Sequence, residues 1–264
     1  MQLKDKIIWL TGASSGIGEA LAYEADKRGA KVILSARRGK VLEEVKSRCK
    51  NQDNIKILPV DLEQTEKLDS YTKEAILLFG RVDILVNNGG LSQRSLARVT
   101  GLDVDEKLMK INYLGSVGLT KSILPHMLSN KLGQIVTVTS MVGKYGTPFR
   151  SSYAATKHAL HGFMDSLRAE EEDNGLIVTT VCPGFVATNV SLNALVGDGS
   201  SQGSMDAQTQ SGIKPEVFAY KMANAIEENK SEVYIAGLKE KFGLYLKRFF
   251  PGLFNKIVKK MAVT

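Results

Sequence analysis

The chain has 264 residues, 43% hydrophobic and 24% charged, which is typical of a soluble globular protein and fits one large α/β domain. Its net charge is +7, and residues 239–264 carry +6 of it, so the rest of the chain lacks the broad basic surface of a nucleic-acid-binding protein. The only two cysteines, Cys49 and Cys182, form neither a disulfide framework nor a metal-ligand spacing, so we expect no bound metal.

Seven short apolar runs rich in Val and Ile predict β-strands. They are KIIWL, KVILSA, IKILPV, VDILVN, QIVTVTS, LIVTTV and EVYIA, and segments with helical spacing lie between them. Continuous apolar runs indicate strands buried on both faces. We therefore predict an α/β fold: one Rossmann-like domain over residues 1–238, with a doubly wound parallel sheet of about seven strands. Ligands should gather at the C-terminal ends of these strands.

The beginning of the chain and its hydropathy bear on membrane insertion. The first strand begins within six residues of the N-terminus, so we expect no secretory signal or transit peptide. No apolar run reaches the length of a membrane-spanning helix.

A glycine-rich turn, TGASSGIG at residues 11–18, follows the first strand and leads into a helix near Ile17. Glycines let a backbone approach a pyrophosphate, whose charge is met by free N–H groups at a helix N-terminus. Strand, turn and helix lie where dinucleotide binding requires them.

The second strand ends in Ser35-Ala36-Arg37-Arg38, where an NAD-binding fold would place an acidic residue. Guanidinium groups pair with phosphate, so Arg37 and Arg38 favour the 2′-phosphate of NADP. The alternative is a solvated pair of charges after a strand.

Polar residues end the next two strands on the same edge of the sheet. They are Asp61 after the third strand and the NNGG run at residues 87–90 after the fourth. Both segments are candidates for lining an adenosine groove, although such turns are also common without a ligand.

Ser140, Tyr153 and Lys157 form the pattern S-x12-Y-x3-K. Tyr153 and Lys157 are four residues apart in a stretch with helical spacing, so both side chains should project from one helix face. A free tyrosine has a pKa near ~10, and an adjacent ammonium lowers it. The pattern therefore predicts a proton donor for carbonyl or alcohol redox chemistry. An isolated Y-x3-K would more often be a solvated helix pair.

These motifs, with Asn112 and Pro183-Gly184 in this order and spacing, resemble the short-chain dehydrogenase/reductase family over residues 5–235. The resemblance implies that Tyr153 is the general acid/base and that Ser140 holds the substrate oxygen. It also implies that Lys157 binds the nicotinamide ribose and lowers the tyrosine pKa, and that Asn112 positions a water in the relay to Lys157. The implied cofactor residues are Gly12, Ser14, Ser15, Gly16, Ile17, Gly18, Arg37, Arg38, Asp61, Leu62, Asn88, Gly89, Tyr153, Lys157, Pro183, Gly184, Val186 and Thr188. One departure is Gly90, where the family usually has Ala.

NNGGLSQRSL and FFPGLFNKIVKK resemble the branch called dehydrogenase/reductase member seven, near the 11-beta-hydroxysteroid dehydrogenases. This implies an NADP(H)-dependent oxidoreductase acting on a lipophilic ketone, aldehyde or secondary alcohol such as a steroid or retinoid. A 3-oxoacyl reductase and a non-catalytic NADP-binding sensor or scaffold are the alternatives.

Apolar residues after Ser140 and Pro183-Gly184 indicate a lipophilic substrate. The candidate substrate residues are Ser140, Met141, Tyr153, Phe185 and Leu192. Lys144 and Arg150 are either exposed or directed at an acidic substrate. The polar segment Gly197–Gly212 predicts a mobile flap over the substrate site, or else a flexible surface loop.

Residues 239–264 form a basic amphipathic extension with apolar residues at helical spacing through Met261. Such a helix suits peripheral contact with an anionic membrane surface, and the alternative is packing on the body or on a partner subunit. From the resemblance we expect a homodimer or homotetramer at the endoplasmic reticulum membrane, facing the cytosol, or else a soluble cytoplasmic protein.

Overall fold

A computed structural model describes residues 2–259 of the chain. Within that range seven strands form one parallel sheet in the order β3-β2-β1-β4-β5-β6-β7. The strands are β1 (Ile7–Thr11), β2 (Lys31–Ser35), β3 (Ile55–Ile57), β4 (Ile84–Asn87), β5 (Gly133–Val138), β6 (Leu176–Pro183) and β7 (Glu232–Ile235). The predicted Rossmann-like fold is confirmed.

Helices connect these strands. Those in the described residues are α1 (Gly16–Lys27), α2 (Gly39–Ser47), α3 (Leu68–Phe79), α4 (Leu102–Leu108), α5 (Gly115–Ser129), α6 (Ser151–Glu171), α7 (Ala207–Gln210), α8 (Pro215–Glu227), α9 (Leu238–Phe249) and α10 (Pro251–Val258). A π-helical turn, Met109–Leu114, joins α4 to α5, and a 3₁₀ turn, Met141–Gly143, follows β5.

Side chains of β1 alternate between two apolar layers. Ile8 and Leu10 pack with α1, α2 and α8 on one face of the sheet. Ile7 and Trp9 pack with α3, α5 and α6 on the other face. Each fully buried side chain of this kind contributes about 1.5–3 kcal/mol. Burial on both faces explains why the strands are continuous apolar runs rather than alternating ones.

β3 is shorter than the apolar run IKILPV suggests. The chain stays extended beyond Ile57, because the N–H of Leu58 donates to the Leu34 carbonyl at 3.0 Å and that of Val60 to the Ala36 carbonyl at 3.1 Å. Pro59 lies between them and has no N–H to donate. The regular ladder therefore ends before Pro59.

The order of the strands reverses at β1, which lies between β2 and β4. Chain connections leave this point in opposite directions, which opens a crevice at the C-terminal ends of the central strands. The glycine-rich turn after β1 and the NNGG run after β4 meet there.

The C-terminal helices α9 and α10 pack against the body of the protein on one side only. Leu246 and Phe254 are buried together with Met141 and Tyr145, and the Tyr145 and Phe254 ring centroids are 5.3 Å apart. On the other side, the large apolar side chains are exposed: Leu238, Phe242, Tyr245, Phe249, Phe250, Leu253 and Ile257. Lys260 and Met261 of the predicted extension lie outside the described residues. Within residues 2–259, no helix is both long enough and apolar enough to cross a membrane.

Candidate active site

The turn between β1 and α1 requires glycine at two positions. Gly12 and Gly16 have φ angles of 65° and 61°, in the left-handed region that disfavours a β-carbon. A β-carbon on Gly12 would also lie 2.8 Å from Nδ2 of Asn88, and one on Gly16 would lie 3.0 Å from Cγ2 of Thr188. The free N–H groups of α1 lie at this turn. The predicted pyrophosphate residues all lie in the turn or at the start of α1: Gly12, Ser14, Ser15, Gly16, Ile17 and Gly18.

Asn88 ties the end of β4 to the end of β1. Its Nδ2 donates to the carbonyls of Thr11 at 3.0 Å and Gly12 at 3.2 Å. The N–H groups of Asn88 and Gly89 donate to Oγ1 of Thr11 at 3.0 and 3.1 Å. The sequence predicts Asn88 near adenosine, whereas the structure shows its amide supporting the glycine turn.

Arg37 and Arg38 follow β2 on the same edge of the sheet. Both side chains are exposed, and neither guanidinium makes a hydrogen bond or an ion pair with another described residue. The N–H of Ala13 donates to the Ser35 carbonyl at 3.1 Å, which holds the glycine turn beside the end of β2. Two unpaired guanidinium groups therefore lie next to the turn, which suits a phosphate.

Asp61 and Leu62 follow β3 and have different surroundings. Oδ1 of Asp61 accepts a hydrogen bond from the N–H of Glu63 at 3.0 Å, which forms a local turn. Leu62 is buried, and its Cδ1 would lie 2.7 Å from a β-carbon on Gly89. Leu62 therefore packs against the NNGG run.

Ser140, Tyr153 and Lys157 come together at the end of β5. Ser140 follows the strand, and its hydroxyl is close enough to Tyr153 to act on the pKa of the tyrosine. Tyr153 and Lys157 lie one turn apart on α6, and Nζ of Lys157 is 5.7 Å from the centroid of the Tyr153 ring. The ammonium of Lys157 donates to the Val138 carbonyl at 2.9 Å. The structure thus places the three predicted catalytic side chains in one cluster.

Burial and neighbouring charges act in opposite directions on the tyrosine. Burial raises the pKa of Tyr153, while the Arg150 guanidinium, the hydrogen bond with Ser140 and the Arg94 guanidinium act to lower it. Burial also lowers the pKa of Lys157 to about 8. The sequence predicts Lys157 as the activating charge, whereas the charges that act to lower the pKa of Tyr153 in the structure are those of Arg150 and Arg94, which the prediction did not include.

Asn112 lies in the π-helical turn between α4 and α5. Its Oδ1 accepts from the N–H of Leu91 at 2.8 Å, and its Nδ2 donates to the Leu91 carbonyl at 2.9 Å and to Oγ1 of Thr156 at 3.2 Å. A β-carbon on Gly90 would lie 2.9 Å from that Oδ1 and 3.9 Å from Nζ of Lys157. Gly90 therefore leaves room where Asn112 approaches Lys157. Single π turns inside α-helices are frequent at functional sites.

The segment after β6 runs from the C-terminal helices to the glycine turn. The N–H of Gly184, just after Pro183, donates to the Ile235 carbonyl at 3.0 Å. Val186 is buried and bridges to Ile213, while Thr188 packs against Gly16. Of the implied cofactor residues after Gly184, Thr188 therefore lies against the glycine turn.

The predicted substrate residues occupy three kinds of surroundings. The Phe185 ring is half-buried, with its centroid 5.2 Å from Cζ of Arg150. Leu192 is half-buried, and its carbonyl accepts from the N–H of Gly203 at 3.0 Å. The Met141 side chain is buried among the residues that pack beneath α9 and α10. Phe185 is therefore the predicted wall residue placed beside the polar groups of the site.

Gln93 is a site residue that the sequence does not reveal. It is 0% exposed, and its Oε1 accepts from the N–H groups of Ser152 at 2.9 Å and Tyr153 at 3.2 Å. Its Nε2 donates to the hydroxyls of Ser95, Thr100 and Ser151 at 3.1–3.3 Å. Because these N–H groups belong to the first turn of α6, Gln93 caps the catalytic helix from another part of the chain. No local signal marks this function.

A buried ion pair anchors the predicted flap. Nε and Nη2 of Arg94 donate to Oδ2 of Asp206 at 2.8 and 2.6 Å, and both side chains are almost fully buried. Leu195, next to the segment Gly197–Gly212, bridges to Gln93 and to Ser201. The structure therefore corrects the expectation of a mobile flap, because a charge pair holds this segment against the loop after β4.

Behind the catalytic cluster, one further polar group lies under the C-terminal helices. Among the described residues, the donor atoms of His161, Cys182 and Glu232 lie within 4.8 Å of one another. Nζ of Lys144 already pairs with Oε1 of Glu232 at 2.6 Å, so we interpret the group as an internal ionic cluster. Burial lowers the pKa of His161 to about 4 and raises that of Cys182 to about 12, so both are neutral at pH 7.

Curated relatives of this chain include dehydrogenase/reductase SDR family proteins 7, 7-like and 7B. The chain is 41% identical to a dehydrogenase/reductase SDR family protein 7-like of Anopheles gambiae, over 98% of the chain and 84% of the relative. It is 50% identical to the human dehydrogenase/reductase SDR family member 7, over 75% of the chain and 60% of the relative.

Solved structures share the fold. A short chain dehydrogenase from Burkholderia cenocepacia in complex with NADP has a TM-score of 0.81 and 20% identity, over 98% of this chain and 99% of that one. A short chain dehydrogenase/reductase from Burkholderia phymatum in complex with NAD has a TM-score of 0.83 and 20% identity, over 96% of each chain. Residues 6–195 match the short chain dehydrogenase family. With its relatives and its seven-stranded sheet, this chain therefore belongs to that family of oxidoreductases.

Proposed function

We propose that the protein is an NADP(H)-dependent oxidoreductase that interconverts a lipophilic ketone or aldehyde and the corresponding alcohol. The observation that carries this proposal is the convergence of Ser140, Tyr153 and Lys157 beside the glycine turn. These groups supply a proton donor, a hydroxyl that orients an oxygen, and a cation, which is what reduction of a carbonyl needs from a protein.

In the reductive direction, the Tyr153 hydroxyl gives its proton to the carbonyl oxygen while the Ser140 hydroxyl holds that oxygen in line. The phenolate that forms is stabilised by the charges of Arg150 and Arg94, and Nζ of Lys157 lies 5.7 Å from its ring centroid. Asn112 supports the return of a proton toward Tyr153, because its Oδ1 and Nζ of Lys157 both border the space beside Gly90. In the oxidative direction the same groups take the proton from the alcohol.

The residues fit a nicotinamide dinucleotide. Gly12 and Gly16 form a cradle that a β-carbon would fill, and the N-terminus of α1 suits the pyrophosphate. Arg37 and Arg38 are unpaired beside it, which favours the 2′-phosphate of NADP. When bound, NADPH supplies the hydride.

Replacing Tyr153 tests the proposed chemistry. We expect Tyr153→Phe to lower kcat on any accepted carbonyl by about 10²–10⁴, because the proton donor is removed. NADPH binding, measured by fluorescence titration, should stay within about twofold because Phe keeps the ring. Turnover by the variant at the wild-type rate would contradict the assignment of Tyr153 as the acid/base.

The same variant separates the oxidoreductase from a non-catalytic NADP-binding sensor or scaffold. A sensor would bind NADPH without oxidising it in a screen of steroids, retinal, quinones and aldehydes, whether or not Tyr153 is present. Turnover of acyl thioesters in preference to these compounds would instead support a 3-oxoacyl reductase.

Arg37→Asp tests the choice of cofactor. Loss of a charge-assisted phosphate contact should raise the KM for NADPH by about 10–100-fold and leave the KM for NADH little changed. Arg98→Asp, an exposed arginine elsewhere, is the matched control. Equal effects on both cofactors would overturn the assignment of Arg37 to the 2′-phosphate.

We further propose that residues 239–264 contact an anionic membrane surface, which would place the protein at the endoplasmic reticulum on the cytosolic side. Leu238, Phe242, Tyr245 and Phe249 form one exposed stripe on α9, and lysines flank it. Apolar side chains with flanking cations suit anionic lipid headgroups. Flotation with vesicles containing phosphatidylserine should carry the protein upward, and Phe242→Ser with Phe249→Ser should abolish this.

The opposite results would remove the membrane proposal. If the double variant floats as the wild type does, the stripe is not the contact. If the wild type stays in solution and sediments as a dimer that the double variant breaks, a second copy covers the stripe, and the expected homodimer or homotetramer forms there.

A further inference from the structure

Arg150 is a buried cation without a hydrogen-bond partner. It is 7% exposed, and its guanidinium makes no hydrogen bond to any other described residue. Its Nε in particular is buried and unpaired. A guanidinium has five N–H donors, and leaving them unmet away from water is unfavourable. Burial accordingly lowers the pKa of Arg150 to about 10, and the nearby Arg94 acts in the same direction.

Asp206 does not accept a hydrogen bond from the N–H donors of Arg150. Its Oδ2 accepts both hydrogen bonds from Arg94, and its Oδ1 accepts one from Nε2 of Gln202 at 2.9 Å. Nη2 of Arg150 is 3.9 Å from Oδ2, which is beyond hydrogen-bond distance. The buried guanidinium groups of Arg94 and Arg150 therefore share the single carboxylate of Asp206. This cluster has a net positive charge, which one more negative group would neutralise.

The charge of the Arg150 guanidinium acts on the proposed proton donor. Its Cζ is 5.2 Å from the ring centroid of Phe185, and its charge acts on Tyr153 and Tyr145. It immediately precedes α6, three residues before Tyr153, at the positive end of the helix. The titratable and charged groups around it are Arg94, Asp206, Tyr153 and Tyr145.

The backbone before Arg150 is strained. Phe149 has a φ of 64°, in the left-handed region that a bulky side chain rarely adopts. Strain of this kind is unfavourable and concentrates at functional sites. The N–H of Ser95 donates to the Phe149 carbonyl at 3.1 Å and holds this conformation. The unfavourable backbone conformation at Phe149 thus places Arg150 at the site.

We propose that Arg150 binds an anionic group of the substrate, so that the preferred substrates are lipophilic carbonyl compounds with a carboxylate or phosphate close to the reacting carbonyl. This rests on the proposed function and narrows its substrate class. A planar guanidinium beside Phe185 suits an oxyanion held next to an apolar chain. The bound anion would complete the charge balance of the cluster.

A matched pair of substrates tests the proposal. We compare kcat/KM for 2-oxo-4-phenylbutanoate and for its uncharged methyl ester in the wild type, Arg150→Met and Arg150→Lys. We expect the acid-to-ester ratio to fall by at least about tenfold in Arg150→Met, since a charge-assisted contact is lost. Arg150→Lys keeps the charge, so its acid-to-ester ratio should lie between those of the wild type and Arg150→Met. The ratio removes any effect of Arg150 on Tyr153, because that effect acts on both substrates.

The control is Arg98→Met, which removes the same charge from an exposed position and should keep the wild-type ratio. An unchanged ratio in Arg150→Met would overturn the proposal while leaving the proposed function intact. If the wild type reduces neither compound nor any other carbonyl, the proposed function fails instead.

A binding measurement needs no turnover. Isothermal titration calorimetry of the wild type with NADP⁺ should show 4-phenylbutanoate or 3-phenylpropylphosphonate binding at least about tenfold more tightly than 4-phenylbutanamide. The anion that binds more tightly indicates whether the natural group is a carboxylate or a phosphate. Equal affinity for the amide and both anions would overturn the proposal.

Stability distinguishes this role from a structural one. If Arg150 only served to pair with Asp206, Arg150→Met would lower the melting temperature markedly, because a buried charge would lose its partner. Because its guanidinium has no hydrogen-bond partner and approaches Oδ2 of Asp206 only to 3.9 Å, we expect the melting temperature of Arg150→Met to stay the same or rise. A large loss of stability would contradict the proposal that Arg150 binds a ligand rather than stabilises the fold.

Discussion

The amide of Gln93 connects the loop after β4 to the first turn of the catalytic helix. The N–H groups of Ser152 and Tyr153 have no partner within α6, and the Oε1 of Gln93 accepts from both. This contact holds the backbone of Tyr153 itself. Gln93 is therefore a positioning residue for the proposed proton donor, although it touches neither substrate nor cofactor.

We expect Gln93→Leu to lower both stability and catalysis. Loss of the buried hydrogen bonds should reduce the unfolding free energy by about 1–3 kcal/mol. Displacement of Tyr153 should reduce kcat by about tenfold or more with a smaller change in KM. Urea unfolding and steady-state kinetics measure the two effects.

Gln93→Glu is the conservative control. It keeps an oxygen that can accept from the two N–H groups, and the surrounding hydroxyls can donate to its other oxygen. It should therefore restore most of kcat. Equal loss of kcat in both variants would show that the cap does not position Tyr153.

His161 gives the protein a predictable dependence on pH. Burial lowers its pKa from 6.5 to about 4, so the unfolded chain binds more protons between these values than the folded protein does. The stability that neutral His161 contributes is present above about pH 6.5 and is lost as the pH falls toward 4.

We expect the unfolding free energy of the wild type to fall by about 2 kcal/mol more than that of His161→Gln between pH 7.5 and 5. Glutamine has a similar size and does not titrate. Urea unfolding at the two pH values provides the comparison. Parallel losses in both proteins would mean that His161 is not the titrating group.

At the scale of elements, the segment Gly197–Gly212 shows where composition misleads. Its glycines and polar residues predict a free loop, but Asp206 is 112 residues away from the arginine that it pairs with. Burial alone would raise the pKa of Asp206, and hydrogen bonds from Arg94 and Gln202 hold it below its usual value. The carboxylate therefore stays charged and keeps the segment against the site.

Removal of this charge should release the segment. We expect Asp206→Asn to lower the unfolding free energy by about 3 kcal/mol, because Arg94 and Arg150 would be left without a counter-charge. Limited digestion with proteinase K, which does not depend on Lys or Arg, should cleave the variant faster near this segment. Asp198→Asn, an exposed position in the same segment, should behave like the wild type. Equal cleavage of Asp206→Asn and the wild type would show that the ion pair is not the anchor.

At the scale of the whole molecule, the C-terminal helices are part of the wall around the site. Leu246 and Phe254 pack on Tyr145 and Met141 in the segment after Ser140. Oε1 of Glu240 accepts from the N–H of Phe185 at 3.3 Å. The residues that would meet a membrane thus lie on helices that also contact the substrate-facing segments.

The two sides of α9 should respond differently to truncation. Leu246→Ala should lower the unfolding free energy by about 2–5 kcal/mol, because it leaves a cavity under the helix. Phe249→Ala removes a larger but exposed side chain and should change it by less than about 0.5 kcal/mol. Similar losses for both would mean that the outer stripe is buried by another copy in solution.

The sequence by itself determined the seven strands, the glycine turn and the Ser140, Tyr153 and Lys157 cluster. These features depend on apolar periodicity and on short motifs, and both are local along the chain. Only the tertiary structure showed Gln93 at the start of α6, the anchor at Asp206 and the unpaired guanidinium of Arg150. Each depends on contacts between distant segments, so neither spacing nor composition indicates it. The sequence did not decide whether Arg150 is exposed or directed at an acidic substrate, because its burial results from the packing of several loops.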